Sequence, residues 1–104
     1  MGIDVAWVTE HGEPKQEVFD PHGFLTRLAT TAWPLLEASA FLRYVDAWGD
    51  TVFNQVQIPK LISELREELS HQVEAETRAH LEKVIRLVER AAGRTHTYVK
   101  FVGD

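Results

Sequence analysis

From Pro59 to Ala92 the chain carries apolar residues at helical spacing almost without pause, and that run is too long for one element. A single helix of that length would reach about 50 Å at 1.5 Å per residue. A domain of this size has a radius of gyration of only about 13 Å. The apolar stripe would outrun the core it has to cover. A break near Ser70–Val73 resolves the conflict and predicts an antiparallel helix pair. In the first helix, which Pro59 starts, Ile58, Leu61, Ile62, Leu65 and Leu69 form the stripe, with Glu64, Glu67 and Glu68 expected outward. In the second, Thr77, Leu81, Val84, Ile85, Val88, Ala91 and Ala92 line one face. Glu74–Arg78 and Glu82–Arg86 are spaced as i,i+4 pairs on the other. Arg86, Arg90 and Gly93 end it as helices favour.

Strands flank these helices. Ile3–Val8 reads as a strand, 10–14 as a turn and Gln16–Phe19 as its return. His96–Val102 reads as a last strand, with Thr97, Val99 and Phe101 on one face and His96, Tyr98 and Lys100 on the other. Asp20-Pro21 predicts a helix over 21–32. Asp is a strong N-cap, Pro suits the first helical position, and Phe19 and Phe24 have the spacing of a hydrophobic staple. Pro34 disfavours helix at Trp33, and 34–39 is open between a helical turn and a loop. Trp7 and Trp33 are expected in the core.

The stretch Ala40–Lys60 places two apolar runs around Asp46-Ala47-Trp48-Gly49-Asp50. Asp46 suits the first position of a type I turn, and Gly49 the positive φ that closes it. Phe41–Val45 and Thr51–Phe53 then read as the strands of a central hairpin. Counted coarsely, the order is β-α-β-β-α-α-β. The expectation is one α+β domain over 1–104: a mainly antiparallel sheet of four to five strands, helices on one face, a variant of the ferredoxin-like arrangement.

Charge and composition exclude several classes. The net charge is −5 and is uneven: residues 1–59 hold three basic residues (Lys15, Arg27, Arg43) against eight acidic ones, whereas Lys60–Arg94 holds seven of each. No basic footprint for phosphates exists, so nucleic acid is not an expected partner. An acidic surface favours cationic partners. Cysteine is absent, which removes disulfides and thiolate chemistry and fits a cytoplasmic location. Neither a signal-peptide pattern nor a run long enough to span a membrane is present, so no membrane is expected.

No catalytic motif stands out: GxGxxG, the P-loop, HExxH and GxSxG are all missing, and no cofactor is implied. The five His are scattered. Glu76 and His80 share a helical face and read as a solvated pair; His71 falls at the interhelical break. Asp46 and Asp50, with His96 as a third member, are a weak set for a divalent cation or for acid–base work. His96 with Asp4 is the alternative acid–base couple. The stronger reading is a binding surface made by Asp46, Trp48 and Asp50, extended by Tyr98 and Lys100. Trp favours interfaces because it offers a large contact area with few rotamers to lose.

The run Arg43–Asn54, RYVDAWGDTVFN, and the ending His96–Asp104, HTYVKFVGD, resemble those of a group of uncharacterised bacterial proteins about 100 residues long, which share the opening Met1-Gly2-Ile3-Asp4. That group carries Pro-Tyr where this chain has Ala47-Trp48. The resemblance implies a stand-alone bacterial protein and brings no activity with it. Three expectations follow from the whole reading. The first is an interaction module for a basic protein, of which an immunity-type inhibitor of a cationic toxin is one form. The second is a small enzyme or cation binder using Asp46, Asp50 and His96. The third is a homo-oligomer joined through the exposed sheet face.

Overall fold

Strict alternation over the final strand organises the sheet. In the computed structural model, which describes residues 2–104, β4 (Thr97–Val102) buries Thr97, Val99 and Phe101. It lies between β1 (Asp4–Thr9) and β3 (Asp50–Asn54), and β2 (Pro14–Val18) pairs with the outer side of β1. The order is β2-β1-β4-β3 and every pairing is antiparallel. The chain's last strand thus fills a central place, where its β-branched and aromatic residues face neighbours on both sides.

Helices cover one face. After α1 (Phe24–Thr31) come a 3-10 turn at Trp33–Leu35 and, beyond β3, the pair α2 (Ile58–His71) and α3 (Ala75–Ala91). The expected break falls at 72–74, one or two residues later than the spacing suggested. Arg78 explains how the break is held. Its guanidinium donates to the carbonyls of Leu69 and Gln72 at 2.7 and 2.9 Å, tying the end of α2 to α3. The core runs from Ile3, Val5, Val99 and Phe101 on the sheet to Leu61, Leu65, Leu81, Val84 and Val88 on the helices. Trp33 is fully buried within it, while Trp7 is partly buried against it, with Arg94 over its ring at 4.8 Å. The α+β architecture expected from the sequence is the one observed.

Four local expectations change. The central hairpin does not form: Leu42–Tyr44 is a 3-10 turn, and β3 pairs with β4 instead. The cause is Glu64, whose carboxylate accepts the backbone N–H groups of Ala40, Phe41 and Leu42 and pulls that segment onto α2. Glu64 and Glu68 are accordingly buried and not outward. Helix α1 starts three residues after Pro21, because Gly23 adopts a left-handed φ of 68° and sets a turn first. Phe19 is left exposed, with no staple fixing it to Phe24.

Candidate functional site

The turn before β3 is built from short-range hydrogen bonds and one long-range latch. The Trp48 N–H donates to Asp46 Oδ1 at 2.8 Å, and the Asp46 N–H donates to Thr51 Oγ1 at 3.0 Å. Such Asx bonding is what makes Asp a turn former. Gly49 does not take the positive φ expected of it. Its value is space: a Cβ there would lie 2.7 Å from Asp46 Oδ2. From the other end of the chain the Gly103 N–H donates to Gly49 O at 2.7 Å, and the Asp104 N–H to Ala47 O at 3.1 Å. A side chain at Gly103 would meet the Asp46 and Ala47 backbone at 2.5–2.6 Å, so that close approach requires glycine. Ala47 is buried beneath the turn, and Trp48 projects from it at 70% exposure. The stretches Arg43–Asn54 and His96–Asp104 are therefore in contact, as paired strands and as turn and latch.

Of the other residues expected at the surface site, Lys100 is adjacent. Its Nζ lies 3.2 Å from Asp50 Oδ2, across the β3–β4 ladder on the open face of the sheet. Tyr98 shares that face, between Val8 and Asn54. His96 does not join them. It sits beyond the opposite end of β3, with its Nδ1 3.0 Å from Glu10 Oε2 and its N–H donating to Gln55 Oε1. Since Asp50 faces Val102 and Asn54 faces Tyr98, the length of β3 separates His96 from Asp46 and Asp50. The same ladder logic removes an Asp4–His96 couple, because Asp4 pairs with Val102. Among the described residues no group of three or more His, Asp or Glu is placed to hold a metal ion. The acid–base and cation set proposed from sequence is thus corrected by the strand register.

Two carboxylates do more than the sequence suggested, Asp20 expected only as a helix cap and Glu64 expected outward. Asp20 is 1% exposed and accepts three backbone N–H groups: Phe24 on Oδ1 at 2.8 Å, and Ile3 and Leu25 on Oδ2 at 3.0 Å each. Beside it lies His80, also buried, with Nε2 3.6 Å from Asp20 Oδ1. His80 is therefore no solvated partner of Glu76, as its helical spacing suggested. Burial lowers the His80 pKa and Asp20 opposes this; Lys83 and His22 lower it further, Asp4 raises it, and the net shift is downward. His80 lines a cleft of about 690 Å³ between the β2–α1 connection and α3, with Asp20 buried behind it. A carboxylate beside an imidazole can accept and pass protons. Here, however, the described residues of the cleft walls include no Ser, Thr or Cys to act as a nucleophile, and three amides already occupy the carboxylate.

Glu64 is the second. Ser39 Oγ donates to its Oε1 at 2.5 Å, and the N–H groups of Ala40, Phe41 and Leu42 converge on the same carboxylate. Burial raises its pKa, but these hydrogen bonds outweigh the effect and hold it below the usual glutamate range. Only a buried helix position occupied by Glu could have signalled this role, and amphipathic patterning counts such a residue as outward. Comparison with known family models, with curated proteins and with solved structures gives no match to this chain.

Proposed function

We propose that this chain is a small protein-interaction module whose contact surface is the Asp46–Asp50 turn with the β3 edge beside it. One observation carries the reading: Trp48 is 70% exposed on a turn fixed by hydrogen bonds from both of its ends. A large side chain left in water on a preorganised backbone loses little entropy when a partner covers it, which is what an interface anchor needs. Tyr44 and Val52 are exposed along the same segment and add apolar area. Lys100 contributes by holding Asp50, and Tyr98 by extending the open sheet face.

Electrostatic attraction to a basic partner, including the immunity-type role, has less support. Asp46 is engaged within its turn and Asp50 with Lys100. Contact through the indole is better supported than contact through charge. The test is affinity capture from native lysate by wild type beside Trp48→Ala, after both are shown to melt at the same temperature. A protein retained by wild type and lost by the variant supports the reading. Identical capture by the two, or no specific capture by either, sinks it.

A further inference from the structure

The two edges of the sheet are defended very differently. β2 opens with Pro14 and carries Lys15 and Glu17, all exposed; proline and charge are the usual protection against pairing with another chain. β3 has the apolar Val52 at its centre, 52% exposed. The Gly103 N–H to Gly49 O bond sets the phase of the β3–β4 ladder. In an antiparallel pair, alternate residues direct both main-chain groups at the same neighbour. Thr51 and Phe53 therefore address β4, and Asp50 and Val52 present their N–H and C=O groups outward. Asn54 fits this phase, since its N–H turns away from β4 to Gln57 Oε1.

We infer that this free edge of β3 pairs with the β3 edge of a second copy of the chain, antiparallel about a two-fold axis at Val52. The inference rests on the proposed contact surface and names its occupant. A two-fold interface must be self-complementary, and this segment has that property. Val52 meets its own counterpart at the axis. Asp50 falls opposite Asn54 of the second copy, so a carboxylate faces an amide, and Lys100 already offsets its charge. No like charges oppose across the pair. Trp48 and Val56, exposed at 70% and 83%, stand four residues to either side of Val52 and flank each other's position in the pairing. The product is one continuous antiparallel sheet with four strands from each copy.

The experiment is sedimentation velocity on the full chain over about 1 μM to 1 mM, for wild type, Val52→Lys and Val73→Lys. Val73 is 95% exposed in the α2–α3 connection and serves as a control for added charge. Wild type should pass from the 11.9 kDa monomer to twice that mass as concentration rises. Val52→Lys, which sets two cations face to face at the axis, should raise the dimer dissociation constant about tenfold or more, while Val73→Lys leaves it unchanged. Circular dichroism melting checks that both variants fold. A wild type that stays monomeric throughout overturns the dimer, and the capture experiment with Trp48→Ala then decides the interaction reading separately. A dimer that Val52→Lys weakens no more than Val73→Lys does would place the interface elsewhere and overturn the β3 pairing.

Discussion

Asp20 and Asp46 are aspartates at the entrance to turns, and each accepts a backbone N–H a few residues ahead. Asp20 is buried and also reaches Ile3, so it joins the start of the sheet to the start of α1. Asp46 is exposed and serves its own turn, aided from outside by the C-terminal latch. One carboxylate holds tertiary structure and the other shapes a surface. The difference lies in Asp20 Oδ2, which accepts the N–H of Ile3, remote in sequence, beside that of Leu25.

Breaking the first region should therefore cost far more than breaking the second. Asp20→Ala leaves three amides without their acceptor in a buried corner, for a loss of about 4 kcal/mol. At this chain length that corresponds to a fall of on the order of 20 °C in melting temperature. Calorimetry beside Asp46→Ala gives the contrast directly. A fall of only a few degrees for Asp20→Ala would show that water replaces the carboxylate at little cost.

Glu64 extends the same comparison. Glu64→Gln keeps the shape but loses the charge that gathers Ser39 and the backbone N–H groups of Ala40, Phe41 and Leu42, and should cost about 2 kcal/mol. Its pH dependence sharpens the assignment. A carboxyl whose pKa is lower folded than unfolded stabilises fully above the unfolded value, near 4.5, and loses that contribution as pH falls through the folded value. Urea titrations from pH 7 down to pH 3 should show wild type losing stability below about 4.5 more steeply than Glu64→Gln. Parallel curves would remove Glu64 as the cause.

His80 brings a second pH window to the Asp20 corner. Its pKa is also lower folded than unfolded, so the neutral imidazole is the form the fold favours. The associated stability is complete above about 6.5, the unfolded value, and declines as pH falls through the folded one. His80→Gln should flatten the stability curve just below pH 6.5, well away from the Glu64 window. An NMR titration of the ring protons checks the direction independently; a midpoint above 6.5 would contradict it.

Long-period features were legible in the sequence and long-range ones were not. The α2–α3 pair follows from the stripe from Ile58 to Ala91, because helical spacing records which side faces the core. The alternation of Thr97, Val99 and Phe101 likewise fixed the buried face of β4. The central hairpin failed because strand propensity in Phe41–Val45 competes with a carboxylate about twenty residues away on α2, and local pattern contains nothing of that bond. His96 was grouped with Asp50 for the same reason, since only the β3–β4 register places them at opposite ends of the strand. Of the surface site, the turn and its Trp were readable. The latch by Gly103 and Asp104 was not, as it depends on β4 ending beside that turn.

The smallest expected effect on stability is at Trp48 itself. Its indole is mostly in water, so Trp48→Ala should change the unfolding free energy by no more than about 0.5 kcal/mol, as for other surface substitutions. Asp46→Ala should cost about 1 kcal/mol, because it removes the bond that holds the Trp48 amide. This ordering runs opposite to the one expected for binding, where the indole supplies the contact and Asp46 only presents it. Denaturation curves of the two variants, set beside their capture yields, therefore separate anchoring from shaping. If Trp48→Ala destabilised the fold by 2 kcal/mol or more, the indole would be packed in solution, and the turn would resemble the Asp20 corner more than a surface held open for a partner.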